Sequence, residues 1–211
     1  PNFVVEYSCL GDSSTFRILS CSTGSVCLNG ACVLSPTPPS GLMSEWKLNE
    51  ELWKGVSSEV KDNTGSTYLT AYNGASIVGD GVDSRAGSFD GVNDYVGGSY
   101  NMDFNSFTLG FWFNARNVTS IKRILEHQWI ASPGDSGVFT VHLDRSKLYA
   151  GLTFSDGSQS FLSIPDTLVA NQWYHAVLTY NSTTAQLFLN SVLKSSVVFN
   201  KPLKKVSKVL Y

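Results

Sequence analysis

The carboxylates of this sequence lack the pairing that acid–base hydrolysis of glycosides requires. A retaining glycosidase needs two carboxyl groups about 5 Å apart, and a strand that supplied both would carry them at alternate positions, as in Glu-x-Asp-x-x-Glu. The chain contains no such run, and after Glu59 its only glutamate is Glu126. A lone acid next to His127 has no catalytic partner, so we interpret Glu126 as a strand residue that pairs with Arg123 or faces solvent.

Other catalytic groups do not form a recognisable active site either. No G-x-S-x-G motif occurs, and His127, His142 and His175 all lie in strand-like patterns, where we interpret His175 as a packing residue. The glycine-rich segment GDGVDSRAG lacks the lysine and the following helix of a phosphate-binding loop. We therefore predict that the protein is not an enzyme. A polysaccharide hydrolase with an unusual active site is the less favoured alternative.

Aromatic and carboxylate side chains in loops are the candidates for ligand recognition, because sugars bind aromatic rings flanked by polar groups. The segment HQWIASPGDSG places Trp129 and Asp135 around Pro133-Gly134, which indicates an exposed loop. We predict carbohydrate contacts at Trp129 and Asp135. Trp112 and Tyr149 lie within strands, where aromatic residues mostly build the core, so we expect structural roles for both.

Two turns rich in side-chain oxygen are candidates for calcium, which takes about six to eight oxygen ligands. The first turn, in KDNTGS, holds Asp62 and Asn63, and the second, in FDGVNDYV, holds Asp90, Asn93 and Asp94. In both turns the alternative is an Asp or Asn side chain that caps the backbone. Calcium is the only cofactor that the sequence predicts.

All four cysteines, Cys9, Cys21, Cys27 and Cys32, lie in the first 32 residues. An even number in a short Gly- and Ser-rich segment predicts two disulfides, and three pairings remain open. A zinc site would need closely paired Cys or His ligands, which these spacings do not provide. Because disulfides persist in oxidising environments, we expect the protein to be extracellular or at the cell surface.

Composition limits the classes of partner. The formal net charge of −2 gives no general attraction to nucleic acid or to an anionic membrane. The chain also lacks a run of about 18 apolar residues, so we expect no membrane insertion in this segment. A glycan or an extracellular protein is the partner that we predict.

Changes in composition divide the chain into three parts. Residues 1–33 form a Cys-rich segment that is too small for its own core, and residues 34–41, LSPTPPSG, form a Pro/Ser-rich linker. Residues 42–211 are long enough for one sizeable core. The chain begins at Pro1 and ends in KVLY, letters typical of a strand, so we expect part of a longer protein, with the large domain truncated at its C terminus.

From residue 42 onward, apolar and polar residues alternate in many short runs. The inward positions of two runs are predicted to be Phe107, Leu109, Phe111 and Phe113, and Tyr174, Ala176, Leu178 and Tyr180. One helical stripe, NEELWKGVSSEVK (49–61), is interrupted by Gly55, so we expect a loop there. Short strands with regularly spaced turns predict an all-β sandwich of two antiparallel sheets.

Five segments occur in a characteristic order. They are EWKLNEE (45–51), VKDNTGS (60–66), GDGVDSRAGSFDGVNDYV (79–96), SFTLGFWFNA (106–115) and QWYHAVLTYNSTTAQLFLNSVL (172–193). Together they resemble the laminin G-like group of the concanavalin A-like lectin/glucanase jelly rolls. The resemblance implies a jelly-roll sandwich, preceded here by the short disulfide-rich segment, and admits calcium.

That fold hosts both glucanases and non-catalytic modules, so the fold alone does not decide function. Because the paired acids are absent, we predict a non-catalytic carbohydrate-binding or adhesion module of a secreted or cell-surface protein. A protein-interaction or structural spacer domain is the alternative.

Overall fold

The structure is a computed structural model that describes the backbone of residues 3–10, 13–20, 25–28, 31–34, 41–102, 105–127 and 137–210, with side chains for residues 41–100, 105–127 and 137–205. The chain divides into two compact units, Pro1–Leu42 and Met43–Tyr211. The described residues form strands and no helix, which confirms the predicted all-β class. No helix that could cross a membrane occurs among them.

The first unit contains two antiparallel hairpins. Strands β1 (Phe3–Leu10) and β2 (Ser13–Ser20) form one, and β3 (Ser25–Leu28) and β4 (Ala31–Leu34) form the other. Cys27 and Cys32 are backbone register partners in the second hairpin. Cys21 lies outside the described residues, so the disulfides stay a prediction.

The second unit is built from short strands along its whole length. In chain order they are β5 (Thr70–Tyr72), β6 (Ser76–Gly81), β7 (Ser84–Ser88), β8 (Tyr95–Met102), β9 (Phe107–Asn114), β10 (Lys122–Glu126), β11 (Phe139–Asp144), β12 (Lys147–Thr153), β13 (Gln159–Ser163), β14 (Trp173–Tyr180), β15 (Thr184–Leu189), β16 (Val192–Val198) and β17 (Val206–Leu210).

Two four-stranded sheets form the main part of this unit. One has the order β10-β11-β12-β13 and the other β16-β15-β14-β9, and every neighbouring pair is antiparallel. Two smaller sheets complete the unit: β17-β8-β5, and the hairpin of β6 and β7. The hairpin between β15 and β16 turns at Asn190 and Ser191, whose positive φ angles of 49° and 66° are typical of a type I′ turn.

The core lies between the inner faces of the two four-stranded sheets. Alternate residues of β14 and β11 are buried, as the period-two pattern predicts. The inward side chains from both sheets belong to one apolar cluster, which includes Phe113, Val141, Leu143, Leu148, Ala150, Leu152, Leu162, Tyr174, Ala176, Leu178, Tyr180 and Leu187. Because this cluster fixes the inward register, it also fixes which side chains face outward.

The alternating segment EWKL (45–48) is expected to form a strand, but it makes only a single bridge, Trp46 to Asp62, and the chain turns at Leu48, where φ is 52°. Strand β6 lies where its glycines and Asp80 indicate a turn. The loop expected over residues 49–61 is confirmed.

Candidate functional site

One outer face of the sandwich presents three aromatic rings beside polar side chains. It belongs to the sheet β10-β11-β12-β13, and its residues follow the cross-strand register. One row across the four strands consists of Glu126, Thr140, Gly151 and Phe161, and the next consists of Arg123, His142, Tyr149 and Ser163. We call this surface, together with Thr153 and Gln159, the platform face.

Phe161 is the exposed centre of the platform face, with 54% of its surface accessible. Its ring covers Gly151, where a Cβ atom would lie only 2.5 Å from Phe161 Cε1 and 3.0 Å from the Thr140 methyl group. Contacts of 2.5 Å do not occur between carbon atoms, so a larger residue at position 151 would displace the ring. Glycine at this position therefore lets an exposed aromatic ring lie against the sheet.

His142 joins the other two rings into one aromatic surface. Its imidazole stacks on Tyr149 at 5.3 Å with the planes 7° apart, and it meets Phe161 edge-on at 6.4 Å. Burial, and then the Arg123 charge, lower the pKa of His142, whereas Asp144 opposes this shift. The imidazole is therefore neutral at neutral pH, and the three rings form an uncharged surface suited to the C–H face of a sugar.

A hollow of about 40 Å³ opens beside Phe161. Glu126, Thr140, Gly151, Thr153, Gln159 and Phe161 are among the residues that line it. The Gln159 amide nitrogen donates to Thr153 Oγ1 at 3.3 Å, which orients the amide at the rim. The hollow thus combines an aromatic wall with hydroxyl, amide and carboxyl groups.

Glu126 supplies the carboxyl group of this hollow. It is 7% exposed, and Arg123 Nε lies 3.1 Å from its Oε2 atom, so the predicted pairing is confirmed and the solvent-facing alternative is wrong. Burial raises the pKa of Glu126, and the Arg123 charge opposes that rise. Among the described residues that line the hollow, Glu126 has no second carboxylate beside it, so the pair required for retaining hydrolysis is not formed there.

His127 faces the opposite way and belongs to the interior. It is fully buried, its ring lies 6.0 Å from Phe139, and its Nε2 atom lies 3.0 Å from the Tyr100 carbonyl oxygen. Because a carbonyl only accepts, Nε2 carries the proton, and Nδ1 has no partner among the described residues. Burial lowers the pKa of His127, although the Tyr100 carbonyl opposes this effect.

The second four-stranded sheet also exposes aromatic residues on its outer face. Trp112 is 52% exposed, and its ring lies 4.9 Å from that of His175, its register partner. Val177, Phe188 and Leu193 continue this surface across the register of β14, β15 and β16. We call these five residues the tryptophan face. Trp112 and Tyr149 therefore lie on outer faces rather than in the core, and their expected structural roles stay a prediction.

The first candidate calcium turn is closed by hydrogen bonds to Asp62. The Glu45 and Thr64 amides donate to its Oδ1 atom at 2.9 Å, the Thr64 hydroxyl donates at 2.9 Å, and the Thr67 amide donates to Oδ2 at 2.8 Å. Burial acts to raise the pKa of this carboxyl, but the hydrogen bonds hold it at about 2. Asn63 donates from its side chain to Glu45 at 2.8 Å.

The second candidate turn connects β7 to β8 and has a similar internal closure. Asp90 Oδ1 accepts the amides of Val92 at 2.7 Å and Asn93 at 3.2 Å, and Asp94 Oδ2 accepts the Asp90 amide at 2.9 Å. These backbone contacts, the Val92 amide first, lower the pKa of Asp90. Lys122 Nζ donates to the Gly91 carbonyl at 2.6 Å and ties the turn to β10.

Both turns have the capped geometry that was the alternative to calcium. Asp62 Oδ1 accepts three hydrogen bonds, so a calcium ion that binds through this oxygen would have to displace a donor. Within the described part of the chain, no group of three or more acidic, His or Cys side chains is arranged to hold a metal ion. Calcium binding at Asp62, Asn63, Asp90, Asn93 or Asp94 stays a prediction.

The predicted sugar contacts and the residues of the platform face are different sets. Trp129 and Asp135 lie outside the described residues, in the connection between β10 and β11. Phe161, His142 and Gln159 were not proposed from the sequence. Alternation could have indicated Phe161, because the buried Leu162 and Ile164 require it to face outward.

Solved structures with a similar fold are binding domains of bacterial toxins. The binding domain of Paraclostridial Mosquitocidal Protein 1 aligns with a TM-score of 0.61 and 19% identity, over 75% of this chain and 42% of that one. The receptor binding domain of botulinum neurotoxin C/D mosaic serotype gives 0.54 and 10%, over 76% and 42%. The botulinum neurotoxin serotype D binding domain gives 0.52 and 13%, over 76% and 42%. The chain thus spans less than half the length of these structures, and at such identities the likeness concerns the fold alone.

No curated protein compared with the chain matches its sequence. A laminin G family model of the concanavalin A-like lectin/glucanases superfamily does match, over residues 89–211, which is more than half of the chain. The matched part contains both four-stranded sheets, and with them the platform face and the tryptophan face. The chain therefore belongs to the concanavalin A-like lectin/glucanases superfamily.

Proposed function

We propose that this chain is a non-catalytic carbohydrate-binding module of a secreted or cell-surface protein, and that its site is the platform face. The observation that carries the proposal is the exposed ring of Phe161, held over Gly151 next to His142, Tyr149 and the polar hollow. Aromatic rings bind the C–H face of a pyranose, and neighbouring carboxyl and amide groups bind its hydroxyls. The binding-domain names of the structural neighbours are compatible with this function.

Each part of the proposed site has a separate role. Phe161 and the stacked pair of His142 and Tyr149 provide the apolar surface, while Glu126 accepts hydrogen bonds and Gln159 both donates and accepts them. We assign no acid–base role to Glu126, because no second carboxylate lines the hollow within the described residues. Calcium, with Asp62, Asn63, Asp90, Asn93 and Asp94 as its candidate ligands, remains part of the proposal.

A glycan array of the whole chain tests this function. Wild-type protein, Phe161→Ala and Trp112→Ala should be applied with and without calcium. We expect binding to neutral glycans for wild type and Trp112→Ala, and loss for Phe161→Ala. If no glycan in a diverse array is bound with or without calcium, the proposed function is wrong. Binding that occurs only with calcium would identify calcium as a cofactor.

One feature favours a protein-interaction module as the second candidate. The tryptophan face exposes Trp112 and also Leu193, which is 46% exposed. Tryptophan is enriched at protein interfaces, and a sheet face without charged groups suits a protein partner. A pulldown that survives glycan removal but fails with Trp112→Ala would favour this function over sugar binding.

A further inference from the structure

We propose that the hollow beside Phe161 is a subsite for the exocyclic hydroxymethyl group of a neutral hexopyranose whose ring lies on Phe161. This inference rests on the proposed function, and it adds the chemical class of sugar that the platform face selects. It concerns only described residues: Glu126, Thr140, Gly151, Gln159 and Phe161.

The size of the hollow sets the size of the group. The hollow of about 40 Å³ admits more than a single water molecule. A hydroxymethyl group has two non-hydrogen atoms beyond the ring and fits.

The walls of the hollow match the chemistry of that group. Glu126 and Gln159 offer acceptors for the hydroxyl, and the Phe161 ring offers an apolar wall for the methylene carbon. The row Glu126, Thr140, Gly151 and Phe161 crosses the sheet in register, and strands lie about 4.8 Å apart. Because Gly151 has no side chain, the Phe161 ring lies directly over the sheet there, and Glu126, Thr140 and Gln159 line the hollow beside the ring.

Three pairs of methyl pyranosides isolate this group. D-glucose and D-xylose, D-galactose and L-arabinose, and D-mannose and D-lyxose each differ only by the hydroxymethyl group. Binding is measured by NMR titration of the whole chain, with the aromatic signals of Phe161 and Tyr149 as the reporters. For the sugar pair that binds, we expect the hexose to bind about fivefold to tenfold tighter than its pentose, from one buried methylene and one hydrogen bond.

Thr140→Ile tests the hollow directly, because isoleucine keeps the branched Cβ and places an additional methyl group into the space. We expect this variant to abolish the difference in affinity between the hexose and its pentose. Thr179→Ile, on the other sheet, is the matched control and should leave both affinities unchanged.

The outcomes separate the two proposals. Equal affinities for hexose and pentose in wild-type protein would overturn the subsite while leaving sugar binding on the platform face intact. Failure of every sugar to shift Phe161 would overturn both. A hexose preference that survives in Thr140→Ile would show that the group binds elsewhere, and would also overturn the subsite.

Discussion

The platform face and the tryptophan face are outer surfaces of the same sandwich, and both expose an aromatic side chain to a similar extent. Phe161 is 54% exposed and Trp112 is 52% exposed. The surroundings of the two rings differ, since Phe161 lies over a glycine beside a polar hollow, whereas Trp112 lies beside His175 on a face that Val177 and Phe188 continue. The proposed sugar site therefore differs from the tryptophan face in the hydrogen-bonding groups beside its aromatic ring, and not in the exposure of that ring.

Removing the Phe161 ring from the platform face should have the largest effect on the affinity for sugar. We expect Phe161→Ala to weaken binding of the tightest neutral oligosaccharide at least about tenfold, equivalent to about 1.4 kcal/mol, because it removes the stacking surface. Isothermal titration calorimetry measures the change. Since Phe161 is more than half exposed, the melting temperature should change little, and an affinity equal to wild type would contradict the assignment.

Gly151→Ala should have the next largest effect. The new methyl group would occupy the place of Phe161 Cε1 and push the ring away from the sheet, so we expect a severalfold loss of affinity. In a Phe161→Ala background the same substitution should change affinity no further, because its effect acts through the ring. Additive losses in the double variant would show that Gly151 acts in some other way.

The third prediction concerns pH. The pKa of His142 is lowered in the folded protein by burial and by Arg123, so the fold favours the neutral imidazole. Its contribution to stability is complete above the unfolded pKa of 6.5 and is lost as the pH falls through the lower folded pKa. Urea unfolding at several pH values should therefore show stability falling below pH 6.5, and the buried His127 contributes in the same direction.

His142→Gln separates the two histidines. We expect it to remove the part of the acid-dependent loss of stability that His142 causes and to leave the part due to His127. An unchanged pH dependence would mean that His142 is not neutral in the fold.

A substitution on the tryptophan face should have the smallest effect on the affinity for sugar. Trp112→Ala removes an equally exposed aromatic residue, yet it should leave the affinity for sugar within experimental error, because Trp112 lies outside the proposed site, on a face that His175, Val177 and Phe188 continue. The same calorimetric titration measures it. Equal losses in Trp112→Ala and Phe161→Ala would remove the distinction between the two faces.

The alternation of side chains made much of the fold predictable from the sequence. Tyr174, Ala176 and Leu178 alternate with polar or half-exposed neighbours, and the structure buries all three. Gly97 and Gly98 weaken the pattern of β8 beyond Tyr95 and Val96, and its pairing with β5 and β17 extends the strand to Met102. Tertiary pairing, which a local pattern does not encode, decided that case.

The candidate site was less predictable because it depends on neighbours across strands. Nothing local in SFLSI shows that Phe161 pairs with Gly151, or that Gly151 pairs with Thr140. Large aromatic residues in strands mostly build cores, and this general rule does not indicate that Trp112 and Tyr149 lie on outer faces. Register, rather than residue type, brings the rings, the carboxyl group and the hollow together.

The measurement that tests the central claim most directly is an NMR titration of the whole chain, carrying ¹³C-labelled aromatic residues, with neutral oligosaccharides. If the platform face binds sugar, the signals of Phe161, Tyr149 and His142 will shift together along one saturable curve, while the Trp112 signal will stay in place. Saturable shifts at Trp112 with none at Phe161 would contradict the account and place the site on the opposite sheet.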